Sequence, residues 1–406
     1  MSTRPRLTPA MADTRRAVRE LLRAEFPDAL AAVTRMPGCV GGTGYLVAPD
    51  APLVLVALSG GADSLALAAA TAFEAQRCGL RAGAVVIDHR LQEGSALVAE
   101  AAATKARDLG LAPVVVRSLV EPLSPAEPPP MAEPVEAPSP VETSPAEPVE
   151  AQSPVETTTH KRAIHSHGPE ADARVARYTA LDEVARETGA QAILLAHTLN
   201  DQAETVLLGL TRGAGVTSLS GMPAVTRGVV EGLRQARPTE GGQPTLYLRP
   251  FLGITRAQTE QACADLGLDP WNDPHNQDAR YTRVRIRHQI VPVLESELGP
   301  GVIEALARTA SHLQDDAEVL DRLARAAWGE CLSELGLVVD GIATHPRAVR
   351  TRVFRLAAER AGLHGLTAAH LDTIDHLVTD WHGQKALAVP GGSVLRTDGK
   401  LEFRAE

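Results

Sequence analysis

The sequence predicts an α/β protein built on a doubly wound parallel sheet, with a smaller and mainly helical domain behind it, on three observations. Between residues 51 and 300, apolar runs of strand length alternate with runs of helix length, the pattern of successive βαβ units. One of these strands, residues 53–58, runs straight into Ser59-Gly60-Gly61-Ala62-Asp63-Ser64 and then into a helix. After Pro300 the strands give way to long helical patterns and a short β tail. These breaks divide the 406 residues into an N-terminal helical extension (1–50), an α/β domain (51–300) and a C-terminal domain (301–406).

Taken in order, residues 13–26 read as an amphipathic helix that Pro27 stops. Strands are expected over 53–58, 82–87, 113–116 and 192–196, and helices over 64–77, 95–109, 171–188 and 202–210. The α/β pattern is interrupted at 119–165. Residues 119–160 hold eleven of the 29 prolines and eight glutamates with no Lys, Arg or Asp, and AEPVEAPSPVET at 132–143 returns as AEPVEAQSPVET at 146–157. Such a stretch cannot bury enough apolar surface to offset its ordering entropy, so it reads as a disordered or polyproline-like insertion without chemistry. The C-terminal domain is expected to hold helices over 302–332, 348–361 and 367–379.

Charge and composition narrow the function classes. The formal charge is −10, but the proline-glutamate insertion alone carries −8, so the rest is close to neutral and a locally basic face for nucleic acid stays open. No apolar run is long enough to span a bilayer, and the N-terminus has no signal-type stretch, which points to the cytoplasm. Cys39, Cys78, Cys263 and Cys331 are scattered without a C-x-x-C, as expected of reduced thiols and not of a disulfide framework or a cysteine-bound metal.

The glycine turn carries the strongest chemical signal. Ser59, Gly60 and Gly61 allow close backbone approach, and the helix start beyond them offers free N–H groups and the positive end of a dipole to a phosphate. The turn lacks the lysine of the Gly-x-x-x-x-Gly-Lys-Ser/Thr loop. It resembles instead the pyrophosphate loop of the N-type ATP pyrophosphatases, which implies an adenine nucleotide alpha hydrolase-like fold and cleavage of ATP between the α and β phosphates. Asp88 and His89 end the second strand, where a nucleotide contact competes with a plain loop hydrogen bond.

After the fourth strand comes His197-Thr198-Leu199-Asn200-Asp201-Gln202-Ala203-Glu204-Thr205. Asp201 followed three residues later by Glu204 also satisfies a helix capping box, a purely structural alternative. The segment resembles the H-x-x-D-D-Q-x-E-T motif of the tRNA(Ile)-lysidine synthetase family. Further matches follow in the same order: a segment at 168–181 with Glu170, Arg174, Arg177 and Tyr178, then Arg212-Gly213-Ala214-Gly215, Arg249-Pro250-Phe251-Leu252, Asp273-Pro274-His275-Asn276, and Arg283-Val284-Arg285-Ile286-Arg287-His288. Asn200 and Val284 depart from the family pattern, which usually has aspartate and often has asparagine there.

The resemblance implies ATP and Mg2+ as cofactors and, as partners, L-lysine and an isoleucine tRNA with a CAU anticodon. It places Ser59, Gly60, Gly61, Ala62, Asp63 and Ser64 on the nucleotide phosphates, with Asp88, His89 and His197 also on the nucleotide. Asp63 is expected to bind magnesium, a hard cation that prefers carboxylate oxygens. Asp201 and Glu204 are expected to hold a substrate ammonium, and Arg212, Arg283 and Arg287 to meet charge developing on the α-phosphate. The basic stretch 280–288 is read as a phosphate contact, and Arg347, Arg350, Arg352 and Arg355 as a second basic cluster facing the tRNA backbone. His364, His370, His376 and His382, six apart, are read as structural or surface residues. Two alternatives stand beside this reading: a tRNA 2-thiocytidine synthetase, which needs paired cysteines, and a non-catalytic ATP sensor. The oligomeric state is open, a homodimer among the options.

Overall fold

The structure, a computed structural model, describes residues 7–31, 33–35, 45–90, 94–119, 169–211, 215–227, 245–273, 277–333 and 336–406. The proline-glutamate insertion from residue 120 onward and Arg212 lie outside the described residues. The chain forms two units: Met1–Ala196, Val225–Pro250 and Ala257–Val284 make the first, and His197–Ala224, Phe251–Arg256 and Arg285–Glu406 the second.

The first unit begins with α1 (Pro9–Glu25), four residues earlier than its apolar pattern suggests. Thr8 explains the difference: its Oγ1 accepts the Met11 N–H at 3.3 Å, and Pro9 at the first helical position loses no hydrogen bond. Pro27 ends this run and opens α2 (Pro27–Ala31), followed by the paired two-residue strands β1 (Thr34–Arg35) and β2 (Tyr45–Leu46). The main sheet uses β3 (Leu53–Ala57), β4 (Arg81–Asp88), β5 (Val114–Ser118), β6 (Ala190–Leu194), β7 (Val225–Arg227) and β8 (Leu246–Leu248). Its strand order is β5-β4-β3-β6-β8-β7, all parallel except β7, which runs antiparallel to β8 on the edge. Between the strands come α3 (Ala62–Glu74), α4 (Ser95–Asp108) and α5 (Pro169–Thr188), with α8 (Arg256–Asp265) later in the chain. The alternating pattern thus yields the doubly wound sheet it predicts. The β7–β8 pair was not expected, because strands of three residues carry too little periodicity to be seen.

Strand parity sorts the core. Leu53, Leu55, Val85, Ile193 and Tyr247 pack against Tyr178, Leu181, Val184 and Ala185 of α5. The alternate residues Val54, Val56, Ala84, Val86 and Leu194 point to the other face and are just as buried. Tyr247 anchors β8 to α5 by donating to Asp182 at 2.6 Å and meeting Tyr178 edge-on at 5.2 Å between ring centroids.

The second unit holds α6 (Leu199–Thr211), α7 (Val216–Leu219), α10 (Val291–Leu298), the 30-residue α11 (Val302–Cys331), α12 (Val339–Ala343), α13 (Arg347–Arg360) and α14 (Ala368–Thr379). Its β content exceeds a tail. Strands β9 (Leu332–Ser333), β10 (Gly336–Val338), β11 (Leu387–Val389), β12 (Gly392–Thr397) and β13 (Lys400–Ala405) form an antiparallel sheet in the order β11-β12-β13-β10-β9. Phe354, Val353, Ile374, Leu377, Val394 and Leu401 are buried together between its helices and strands. Gln202 of α6 brackets the chain after α7, accepting the Met222 N–H at 2.7 Å and donating to the Met222 carbonyl at 2.8 Å.

Candidate nucleotide site and charge network

In the first unit the buried strand β3 delivers the chain to Ser59, and Gly60 turns it with φ +86°. A Cβ there would meet Ala102 Cβ at 3.5 Å and Trp271 Cβ at 3.8 Å, so space is ordinary and the left-handed backbone is what calls for glycine. Gly61 is the N-cap of α3 and has no side chain to satisfy the helix's first N–H groups, which leaves them for a phosphate. Ser64, buried, closes the turn. Its Oγ accepts the Ser59 N–H at 3.2 Å, donates to the Gly61 carbonyl at 3.0 Å and lies 3.1 Å from Ser59 Oγ.

Ala62 begins the helix and Asp63 stands half-buried in its first turn, where a carboxylate is favoured by the dipole. The Asp63 carboxylate accepts a hydrogen bond from Thr259 of α8. Among the described residues no three His, Cys, Asp or Glu side chains gather into a metal site. One carboxylate beside a phosphate cradle nevertheless fits magnesium that arrives on ATP, since that ion keeps several waters and takes the rest of its oxygens from phosphate.

Asp88 and His89 follow at the end of β4. Asp88 is buried and accepts the Arg90 N–H at 3.0 Å and the Ser118 hydroxyl at 3.3 Å. Burial opposes its charge, but hydrogen bonds from Ser95, the Arg90 N–H and Ser118 outweigh this and hold the carboxyl below its usual value. His89 is pushed down to about 4, by burial first and the Arg177 guanidinium second, against the pull of Asp88 and Asp273. Its imidazole is therefore neutral at pH 7, suited to hydrogen bonding with a base or ribose and not to pairing with phosphate charge.

This has a consequence for stability with a definite sign. A histidine free to protonate near its ordinary 6.5 in the unfolded chain, but only near 4 when folded, leaves the unfolded state binding more protons in between. Stability is complete above about pH 6.5 and falls as pH drops towards 4. His89→Gln is expected to flatten that part of the profile, read as the thermal midpoint from pH 7 to 4.5. An unchanged slope would show that His89 is not the titrating group.

In the second unit the motif residues form a charge network. Thr198, fully buried before α6, donates its N–H to Asp201 Oδ2 at 2.7 Å and its hydroxyl at 2.8 Å. The cap pairs Asp201 with Thr198, so the expected alternative of an Asp201–Glu204 capping box does not form, and Glu204 is used elsewhere. Glu204, 2% exposed, accepts a forked pair from Arg287, Nε to Oε1 at 2.8 Å and Nη2 to Oε2 at 3.2 Å. Arg256 lies 3.1 Å from Asp201 and 3.8 Å from Glu204, and Arg287 lies 3.6 Å from Asp201. Burial disfavours the Asp201 charge, yet Arg256, the Thr198 hydrogen bonds and His197 prevail and lower its pKa. Asn200, where the family usually has aspartate, accepts the Arg256 N–H at 2.9 Å and so helps to seat that arginine.

Of the remaining candidates, His197 is half-buried directly before Thr198, and Arg283 is half-buried in α9 (Thr282–Arg285). Arg287 sits in a π-helical turn, Ile286–Ile290, a distortion often found where a side chain is re-aimed for function. Arg249 is buried and donates to Thr226 at 2.8 Å, tying β8 to β7. Three arginines of the second basic cluster are committed to carboxylates: Arg350 to Asp375 at 2.7 and 2.8 Å, Arg352 to Asp321 at 2.8 Å, and Arg347 to Asp372. They join helices, which departs from the expected tRNA-backbone role. His370 forms a capping box with Thr367 and is structural. Arg256, Thr259 and Trp271 were not anticipated; they fall between the motif that ends at Leu252 and the one that begins at Asp273, and each meets a partner far away in sequence, Asp201, Asp63 and Gly60 respectively.

The chain matches two family models, one described as a PP-loop domain at residues 45–122 and 147–294, the other as a TilS substrate binding domain at residues 337–402. It is 45% identical to the tRNA(Ile)-lysidine synthase of Leifsonia xyli over 384 residues, 92% of this chain and 97% of that protein. The enzymes of the same name from Streptomyces coelicolor and Thermobifida fusca are 45% and 43% identical, over 86% and 88% of this chain and 84% and 93% of their own.

Proposed function

This chain belongs to the tRNA(Ile)-lysidine synthase family, and we propose that it joins L-lysine to C2 of the wobble cytidine in an isoleucine tRNA reading CAU, at the expense of ATP. The observation that carries this reading is 45% identity across 92% of the chain and 97% of a relative named for that activity. The reaction has two steps. ATP adenylates the C2 oxygen of the cytidine and releases pyrophosphate; a lysine amine then attacks C2, and AMP leaves with that oxygen.

The residues divide this work by their chemistry. The Ser59–Ser64 turn and the N–H groups of α3 cradle the ATP phosphates, and Asp88 and neutral His89 serve the nucleoside. Asp63 would hold the magnesium, whose charge offsets that of the phosphates when bound. Arg283 and Arg212 are proposed to meet charge developing on the α-phosphate. Lysine fits the network of Asp201, Glu204, Arg256 and Arg287, two carboxylates and two guanidiniums of no net charge. Lysine brings one carboxylate and two ammonium groups; one ammonium and the carboxylate can enter such a network by exchange, the ammonium on the carboxylates and the carboxylate on an arginine, which leaves the second ammonium and its positive charge outside the exchange. The lowered pKa of Asp201 suits it to holding charge, not to taking the proton of the amine.

The segment 301–406, which includes the match to a substrate binding domain, is proposed to take the tRNA body. We place the enzyme in the cytoplasm; among the described residues no helix is long and apolar enough to cross a membrane. A sulfur-transfer reading is less well supported, because Cys78, Cys263 and Cys331 are each buried and the sequence pairs no cysteines. The test is transfer of radiolabelled lysine to an isoleucine tRNA transcript with CAU, beside the methionine tRNA with the same anticodon. Label on the isoleucine tRNA alone, dependent on ATP, is expected; label on neither tRNA would reject the reading.

A further inference from the structure

The pose of Asp63 is set from outside the phosphate loop, by one segment of the first unit. Thr259, wholly buried on α8, donates its hydroxyl to Asp63 Oδ1. Cys263, one turn further along the same helix, donates its thiol to the Ala62 carbonyl at 3.3 Å, and burial followed by Asp63 pushes that thiol up to about 11, so it stays a neutral donor. Beyond the helix, the Trp271 N–H donates to the Gly60 carbonyl at 3.0 Å. Gly60, Ala62 and Asp63 are thus held by three groups of residues 259–271.

We propose that Thr259 is a positioning residue for the magnesium-ATP complex, which fixes the Asp63 carboxylate in the orientation from which it meets the metal. This rests on the reading that Asp63 holds magnesium. The two contacts to main-chain carbonyls shape the loop and are indifferent to the metal, whereas the Thr259 hydroxyl acts on the one side chain there whose charge the metal needs. A carboxylate on a helix's first turn has several rotamers, and a buried hydroxyl donor selects one of them before the ligand arrives. Losing an outer hydrogen bond of this kind weakens metal binding by about 10- to 100-fold.

The experiment is calorimetric titration of the full chain with ATP, in magnesium and in EDTA, for the wild type, Thr259→Val and Thr259→Ser. Valine keeps the shape of threonine and removes the donor; serine keeps the donor. Thr259→Val is expected to lose about 10-fold or more of its ATP affinity in magnesium and little in EDTA, with Thr259→Ser close to wild type. In an Asp63→Asn background, Thr259→Val should then change nothing further. Equal weakening in magnesium and EDTA, or no weakening, would overturn the proposal while leaving Asp63 as the metal ligand. Wild-type affinity that ignores magnesium would overturn the reading of Asp63, and the proposal with it.

Discussion

Asp63→Ala is expected to lower lysine transfer to tRNA by about 10³-fold, because a metal contact that offsets phosphate charge contributes several kcal/mol to the transition state. The fold should survive with a loss of about 1–3 kcal/mol, from taking the Asp63 acceptor away from the buried Thr259 hydroxyl. Asp63 is half-buried and sits at the start of α3, while the loop itself is held by Ser64, Trp271 and Cys263 through groups that the substitution leaves in place. The measurement is single-turnover transfer at saturating ATP and lysine, with the thermal midpoint recorded beside it. A loss of less than tenfold would remove Asp63 from the reacting centre. A lost midpoint would instead make it a structural residue.

Glu204→Gln is expected to act on both stability and lysine recognition. The change removes the charge that Arg287 grips through two hydrogen bonds and leaves two arginines facing one carboxylate. Breaking a fully buried pair costs about 3–5 kcal/mol, but Arg256 and Arg287 keep 21% and 25% side-chain exposure, so water screens the loss to about 1–3 kcal/mol. The KM for lysine should rise by about 10²-fold, from loss of one charged contact, with the KM for ATP unchanged. A cycle with Arg287→Gln separates the two effects. If the residues act as a pair, the double variant is less destabilised than the sum of the single ones. Equal shifts in both KM values would assign Glu204 to the scaffold alone.

The sheet and the phosphate turn were legible in the sequence because both are local. Alternation of apolar runs reports strands and helices directly, and Gly60, Gly61 and Ser64 act within a few residues of each other. Partnerships across the chain were not legible. The composition around Arg347, Arg350 and Arg352 shows positive charge but cannot show Asp372, Asp375 and Asp321, which lie 25 to 31 residues away and neutralise it. Asp201 and Glu204 have capping-box spacing, yet Thr198 took the cap and released Glu204 to Arg287. Thr259 and Arg256 carry no signal at all in one sequence, since each matters only through a carboxylate that the fold brings to it.

The most direct measurement is the mass of the wobble nucleoside after incubation of the full chain with ATP, magnesium, lysine and isoleucine tRNA bearing CAU, with 18O placed at C2 of that cytidine. The account predicts a nucleoside heavier by one lysine less water, and the heavy oxygen recovered in AMP. An unmodified cytidine, or AMP without the label, would contradict it.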